Sequence, residues 1–193
     1  MCDLILASGS SRRHTLLNQL NFEYRTCAPN VNESAMVGEV STEYVCRMAR
    51  TKALSVYEML SASHAVLAAD TIISLQGEII GKPENIQHAK NILQKLSAVE
   101  HEVLTALYLK TNNHDYETMV GTKVKFRKIT NNEIDVYCLT DEPCDKAGAY
   151  AIQGIASSFV EYISGSYTNV VGLPLTSVCD LLKQANLYNY DDV

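Results

Sequence analysis

The stretch that most constrains the fold is residues 4–17, LILASGSSRRHTLL, where an apolar run stops in small hydroxylated residues and a helical pattern follows. The run at residues 4–7 predicts a buried strand, and residues 8–11 predict a tight turn whose serines can cap a helix. Arg12 and Arg13 fall in the first turn of that helix, where cations oppose the helix dipole unless an anion lies nearby. The pattern therefore indicates an anion site, although a capped turn with two solvated arginines fits it about as well.

Common nucleotide-binding motifs do not identify this turn, because it matches neither the Walker A pattern nor G-x-G-x-x-G. The length of 193 residues predicts a single domain over residues 1–193, or two small lobes around a cleft. With 16 basic and 22 acidic residues, a net charge of −6 and no basic stripe, the chain is not expected to bind nucleic acid. Any polyanion that binds at the turn should therefore be small.

The cysteines carry information about the compartment. There are six of them, and they show neither a C-x-x-C pair nor the spacing of a metal finger. We therefore expect free thiols in a reducing compartment. The chain starts directly with the first strand and contains no apolar run as long as a membrane span. These features predict a cytoplasmic protein that does not enter a membrane.

Two charged residues stand within otherwise apolar patterns. Lys52 lies on the apolar stripe of a helix that Ser41 is expected to cap. Its ammonium group either reaches past the core to water or points at an anion in a cleft. Asp70, together with Thr71, interrupts an apolar strand over residues 65–75, and a buried carboxylate seldom lacks partners. We therefore interpret Asp70 as a functional residue.

A hairpin is predicted after Asp70, with residues 76–77 as its turn. Antiparallel counting pairs Thr71 with Lys82, which would place Lys82 beside Asp70. An acid and a base brought together in this way form either a simple ion pair or part of a charged cleft. Pro83 is expected to begin the next helix, whose apolar positions indicate a purely structural role.

Two loops carry further candidate residues. The polar loop at residues 28–39 contains Glu33, which its spacing alone explains better as a solvated carboxylate than as a functional one. The loop at residues 145–154, DKAGAYAIQG, is rich in small residues, which let a backbone approach a ligand or pack tightly. Because strands and helices alternate throughout the chain, the predicted fold class is α/β with a mixed sheet.

A set of short segments resembles the Maf family of nucleoside triphosphate pyrophosphatases, and it spans nearly the whole chain in the family order. The segments are LASGSSRR (6–13), Asn32-Glu33, Lys52-Ala53, AADT (68–71), GKP (81–83), HEVLTA (101–106), DKAGAYAIQG (145–154) and NVVGLPL (169–175). The last two look like those of the dTTP/UTP pyrophosphatase subgroup. The departures are small: Ser11 stands where Pro is common, Asn32 where aspartate is frequent, and Ala98 where Gly is usual.

The resemblance implies hydrolysis of a nucleoside triphosphate, preferably dTTP or UTP, to the monophosphate and pyrophosphate, with Mg²⁺, Mn²⁺ or Co²⁺ as cofactor. It implies a catalytic set of Asp70 as the base with Glu33, Lys52 and Lys82, and it makes Asp70 and Glu33 the metal ligands. The implied substrate-binding residues are Ser8, Ser10, Arg12, Arg13, Thr71 and Gln153. Among these, Arg12, Thr71 and Gln153 match the positions where the family sets base specificity.

The same resemblance implies a mixed sheet bent around a deep cleft with flanking helices, similar to inosine triphosphate pyrophosphatases, and a homodimer. A second hypothesis is a nucleotide-binding regulator of septum formation without significant turnover. A binder needs the cationic cleft but not a base. Because Asp70 is a carboxylate within an apolar strand, where chemistry or metal binding explains it better than structure does, we favour the enzyme.

Overall fold

A mixed sheet of seven strands organises the protein. A computed structural model describes residues 3–60, 64–144 and 146–188. The strands are β1 (Asp3–Ala7), β2 (Tyr24–Thr26), β3 (His64–Leu75), β4 (Glu78–Ile80), β5 (Glu100–Lys110), β6 (Asp115–Phe126) and β7 (Val160–Ser164). The helices are α1 (Ser11–Asn18), α2 (Ser41–Met59), α3 (Ile86–Leu96), α4 (Asn131–Tyr137), α5 (Tyr167–Val171) and α6 (Leu175–Gln184), with short 3₁₀ turns at Ala147–Ala149 and Ile155–Phe159.

The strand order is β2-β1-β3-β5-β6-β7, and β4 pairs with β3 outside this path. Strand β1 runs parallel to β2 and β3, whereas the other neighbouring strands are antiparallel. The prediction of an α/β fold with a mixed sheet is therefore confirmed.

One edge of β3 changes partner midway along the strand. Strand β1 pairs with it as far as Ala68, and β4 pairs with it only from Ile73 onward. Residues 69–72 therefore have β5 on one edge but, among the described strands, no neighbour on the other. The sheet opens at this point, and Asp70 and Thr71 lie in the opening.

Both faces of the sheet are covered by apolar clusters. Alternate residues of β3 point to opposite faces because the side-chain period of a strand is two. Val66, Ala68 and Ile72 pack under α2, which supplies residues such as Val45 and Met48. The other face packs against α1 and α6. The buried residues there include Leu16, Leu17, Ala65, Leu67, Ala69, Leu107, Val178 and Leu182.

Several local predictions hold. The hairpin after β3 turns at Gln76 and Gly77, which both adopt positive φ angles of 53° and 87°. Strand β6 is half-buried, because Val124 and Phe126 are buried while Lys123 is exposed. The five cysteines of the described region form no disulfide bond, as expected. No described helix has both the length and the apolar character that a membrane crossing requires.

Other local predictions are wrong. Helix α3 begins at Ile86 rather than at Pro83, because the Asn85 side chain accepts a hydrogen bond from the His88 N–H and caps the helix. Ser41 does not cap α2; its hydroxyl shares a buried hydrogen bond with Ser74.

The strand predicted over residues 65–75 is confirmed, and Asp70 and Thr71 interrupt only its apolar character. The strand continues through both residues because they pair with Ala106 and Thr105 of β5. A local pattern of polar residues therefore does not end a strand whose neighbour continues past it. Within the small-residue loop, Asp145 lies outside the described residues.

Candidate active site

The opening beside β3 is the mouth of a cleft of about 650 Å³. It lies between the turn after β1, the 28–39 loop, the corner after β4 and the segment 146–153. Every candidate site residue named from the sequence lines it: Ser8, Ser10, Arg12, Arg13, Glu33, Lys52, Asp70, Thr71, Lys82 and Gln153. The fold thus brings together residues that are up to 145 positions apart, from Ser8 to Gln153.

Lys52 connects two carboxylates at the base of the cleft. Its Nζ lies 2.6 Å from Oδ1 of Asp70 and 2.7 Å from Oε1 of Glu33. Lys52 and Asp70 are 7% and 6% exposed. The pair forms because Asp70 points to the face of β3 on which α2 packs, and Lys52 lies on the buried stripe of that helix. The alternative in which the Lys52 ammonium reaches water is therefore wrong.

Glu33 is also not an isolated solvated carboxylate. The Tyr44 hydroxyl donates a 2.7 Å hydrogen bond to its backbone carbonyl, and Arg47 Nη2 donates to the carbonyl of Ser34. Partial burial disfavours the charged form of Glu33. The hydrogen bond and charge of Lys52, together with the charges of Lys82 and Arg13, outweigh it and lower the pKa of Glu33.

Thr71 points to the opposite face of β3 and meets a different set of partners. Arg13 Nη2 donates a 3.0 Å hydrogen bond to the Thr71 hydroxyl, and Arg13 Nε donates a 2.8 Å hydrogen bond to the carbonyl of Gly172. Burial lowers the pKa of Arg13, and the charge of Asp70 opposes this shift. The Thr71 hydroxyl shares a further hydrogen bond of 2.9 Å with Thr105 of β5. The Arg13 guanidinium is therefore held in place at the wall of the cleft.

The turn after β1 is stabilised from within. The Ser8 hydroxyl accepts a hydrogen bond from the Ser10 N–H, and the Ser8 carbonyl is hydrogen-bonded to the His14 ring. Ser10 is the N-cap of α1, but its side chain makes no capping hydrogen bond. The prediction that serine side chains cap this helix is thus wrong. Ser10 lines the cleft instead.

Lys82 reaches the cleft by a different route from the one expected. The ladder between β3 and β4 ends at Ile80, so the predicted pair of Thr71 with Lys82 is not formed. The Gly148 N–H donates a 3.0 Å hydrogen bond to the Gly81 carbonyl. This contact joins the corner that carries Lys82 to the segment that carries Gln153, whose side chain is exposed within the lining.

Sequence comparison shows which family this chain is similar to. The family model described as Maf-like protein matches residues 3–185. The chain belongs to the Maf family. It is 44% identical to the dTTP/UTP pyrophosphatase of Acinetobacter baylyi over 184 residues, which cover 95% of this chain and 100% of that protein. It is 43% identical to the dTTP/UTP pyrophosphatase of Escherichia coli over 186 residues, which cover 96% and 94%.

Two solved structures of low sequence identity also match this Maf family member. The Ham1 protein of Staphylococcus aureus matches with a TM-score of 0.47 and 14% identity, over 64% of this chain and 71% of that chain. A nucleoside-triphosphatase / dITP/XTP pyrophosphatase of Mycobacterium abscessus matches with a TM-score of 0.46 and 13% identity, over 97% and 99%.

Sequence reasoning missed two groups in the Maf cleft. Tyr44 was not singled out because its position on the α2 stripe is that of an ordinary core residue, yet its hydroxyl holds the Glu33 backbone. Burial, followed by the charges of Asp70 and Glu33, raises the pKa of Tyr44 to about 12. The Gly172 carbonyl was also missed, since a backbone acceptor leaves no signal in the residue pattern.

The donor set of the Maf cleft suits a hard cation that shares its ligands with a substrate. The described residues contain no group of three or more His, Cys, Asp or Glu side chains that could hold a metal ion alone. Asp70 and Glu33, however, lie close together, because the carboxylate of each contacts the Lys52 ammonium group, one from a strand and the other from a loop. Mg²⁺ is commonly bound by one or two carboxylates together with substrate phosphates and water. The residues present therefore fit such an ion when a polyphosphate is bound.

Proposed function

We propose that this chain hydrolyses dTTP and UTP to the corresponding monophosphate and pyrophosphate. The single observation that carries the proposal is the contact of Lys52 with Asp70 and Glu33 at the base of a cleft that Arg12, Arg13 and Lys82 also line. Such a cleft places a proton acceptor among cations, which is what water attack on a polyphosphate requires. The relatives named dTTP/UTP pyrophosphatase supply the substrate class.

In the proposed reaction, Asp70 accepts a proton from the attacking water. The water oxygen forms a bond to the α-phosphorus, and the bond from that phosphorus to the bridging oxygen of pyrophosphate breaks. Negative charge grows on the departing pyrophosphate, and the cationic side chains that line the cleft offset it. Lys52 offsets the charge of the two carboxylates, so that they can lie close together while a polyanion binds.

We further propose that Asp70 and Glu33 hold the divalent cation together with phosphate oxygens and water. When bound, this cation neutralises phosphate charge and lowers the pKa of a coordinated water. Lys52 lies between the same two carboxylates, at 2.6 and 2.7 Å. It can therefore keep them in place for the cation, because one ammonium group offsets only one of the two carboxylate charges.

Selection of the base is proposed to rest on Gln153, with Arg12 and Thr71. The Gln153 amide offers both a donor and an acceptor, which matches the alternating acceptors and donor on the imide edge of uracil and thymine. Its exposure within the lining leaves this amide accessible to a ligand. Arg13 donates a hydrogen bond to the Thr71 hydroxyl, which lines the same cleft.

The experiment is pyrophosphate release from a panel of ribonucleoside and deoxyribonucleoside triphosphates with Mg²⁺, Mn²⁺ or Co²⁺, with Asp70→Asn measured in parallel. We expect release from dTTP and UTP in preference to the others, and a loss of at least about 100-fold in kcat in the variant. Asp115→Asn is the matched control, because Asp115 pairs with Lys110 away from the cleft. Near-normal turnover by Asp70→Asn would overturn the role of Asp70.

The same panel tests the regulatory hypothesis. Nucleotide binding without turnover under every metal would overturn the enzyme and favour the regulator. The homodimer, the cytoplasmic location and the division into one domain or two lobes stay predictions. Light scattering on the purified protein would test the first of these.

A further inference from the structure

We propose that Glu142 is a positioning residue for base selection, although it does not line the cleft. This inference rests on the proposed function, because it concerns the segment that carries Gln153. Glu142 lies in the turn after α4 and is partly buried. It is not one of the candidate site residues inferred from the sequence.

The Glu142 carboxylate binds the backbone two and three residues after Gln153. Its Oε2 accepts a 2.8 Å hydrogen bond from the Ile155 N–H, and its Oε1 accepts a 3.1 Å hydrogen bond from the Ala156 N–H. These two groups begin the 3₁₀ turn Ile155–Phe159, where N–H groups lack partners within the turn. Hydrogen bonds to an ionised acceptor are about twice as strong as those between neutral groups.

Gly154 shows how closely the carboxylate approaches this backbone. A Cβ atom added at Gly154 would collide with the carboxylate of Glu142. The φ angle of Gly154 is −113°, so the backbone conformation itself does not require glycine. The absence of a side chain at position 154 is therefore explained by the space that Glu142 occupies.

The other end of the segment is connected to the same carboxylate through Tyr137. The Tyr137 hydroxyl lies 3.0 Å from Oε1 of Glu142 and 3.2 Å from the Ala149 carbonyl, within hydrogen-bonding distance of both. Lys146, which lines the cleft, also donates a 2.9 Å hydrogen bond to the backbone carbonyl of Glu142. Gln153 thus lies on a short span, residues 149–156, which Glu142 binds directly at residues 155–156. The start of the span contacts the Tyr137 hydroxyl, which also lies beside Glu142 and donates its one proton to either oxygen.

This arrangement can set the position of the Gln153 amide without contacting the nucleotide. A hydrogen-bonding site that selects a base depends on placing its donors and acceptors to within a fraction of an ångström. Loosening the span should therefore weaken recognition of the preferred base more than it weakens binding of the triphosphate, which relies on residues elsewhere in the cleft.

The test is Glu142→Gln, with kcat and KM measured for UTP and for dGTP. The glutamine keeps the shape of the side chain, but it places an NH₂ group where one carboxylate oxygen accepts an N–H. We expect the ratio of kcat/KM for UTP to that for dGTP to fall about tenfold, mostly through KM for UTP, as for the loss of one charged hydrogen bond. Glu142→Asp is the second variant if the first does not fold, and the same direction is expected.

Glu133→Gln is the matched control. Glu133 also accepts hydrogen bonds at the start of a helix, from the N–H and hydroxyl of Thr130 and from Arg127, but these partners lie outside the span 149–156. We expect this variant to lose stability with no change in the substrate ratio. Hydrogen exchange should rise in residues 149–156 for Glu142→Gln and only around α4 for Glu133→Gln.

The outcomes separate the inference from the proposed function. If Glu142→Gln lowers kcat/KM by the same factor for both substrates, or if exchange in residues 149–156 is unchanged, Glu142 is merely structural and the inference is overturned. If the unmodified protein turns over UTP no faster than dGTP, the proposed substrate preference fails instead, whatever the variant does.

Discussion

Lys52 and Asp70 form a buried ion pair, with 2.6 Å between Nζ and Oδ1 and no more than 7% of either residue exposed. Glu33 contacts the same ammonium group from a loop, with about half of its side chain exposed. Removing one partner of a buried pair leaves an uncompensated charge, which is far costlier than losing an exposed pair. We therefore expect Lys52 to affect both the stability of the protein and the activity of the cleft.

Lys52→Met keeps the apolar stem of the side chain and deletes its charge. We expect the free energy of unfolding at pH 7 to fall by about 3 kcal/mol, and kcat/KM to fall as well, because two carboxylates lose their shared cation. Lys110→Met is the control, because Lys110 pairs with Asp115 at the same distance of 2.6 Å but nearer the surface. This variant should lower the free energy of unfolding by about 1 kcal/mol or less. Urea denaturation and steady-state kinetics measure both variants. Equal stability losses in the two variants would contradict the importance of the buried pair.

Thr71→Val replaces a hydroxyl by a methyl group of similar shape. We expect KM for UTP to rise about tenfold with a smaller change in kcat, because Arg13 loses an acceptor that holds it against the cleft wall. Thr118→Val, on β6 and outside the cleft lining, is the control. An unchanged KM in Thr71→Val would show that the Gly172 carbonyl alone orients Arg13.

Gln153→Ala tests base selection directly. We expect the ratio of kcat/KM for dTTP to that for dGTP to fall about tenfold, which corresponds to the loss of one or two neutral hydrogen bonds. Gln87→Ala on the exposed surface of α3 serves as the comparison. If the ratio does not change, Gln153 does not belong to the base pocket.

His101 should make the stability of the protein depend on pH between about 6.5 and 4. Burial between Phe126 and Tyr150 lowers the pKa of His101 to about 4, although the neighbouring backbone and the charge of Glu100 act in the opposite direction. The unfolded chain binds a proton at this histidine as the pH falls below about 6.5, while the folded protein does not. Protonation therefore favours unfolding, and the free energy of unfolding should fall by roughly 3 kcal/mol over this range.

His101→Phe removes this titration while keeping a buried ring, so its stability should depend less steeply on pH. Urea denaturation at pH 7, 6 and 5 measures the two slopes. Hydrogen bonds, mainly from Arg47 and Arg127, lower the pKa values of Glu39 and Glu133 to about 2. These two carboxyls therefore affect stability mainly below the pH range in which His101 acts. Parallel slopes for the two proteins would refute the role of His101.

Much of the site could be predicted from the sequence, because its residues violate simple patterns. Lys52 lies on an apolar helical stripe and Asp70 within an apolar strand. These two charged residues form an ion pair with each other in the structure. The resemblance to the Maf family added Glu33 and Gln153, which residue spacing alone did not favour. The family is confirmed by comparison, whereas the roles of these residues stay predictions.

What could not be predicted depends on neighbours that are distant in the chain. Strand β3 continues through Asp70 and Thr71 because β5 pairs with both. Ser41 faces inward because Ser74 offers a hydroxyl at that point. No periodicity of the sequence around either position contains information about these partners.

The sequence by itself determined the strands, the helices and the charged residues that interrupt their apolar faces, since these follow from side-chain period and local chemistry. Only the tertiary structure decided that Asp70 meets Lys52 while Thr71 meets Arg13. Adjacent residues of a strand point to opposite faces, and what covers each face is set by the packing of helices from other parts of the chain. The cleft exists because β1 ends before β4 begins on one edge of β3, which is a property of the assembled sheet.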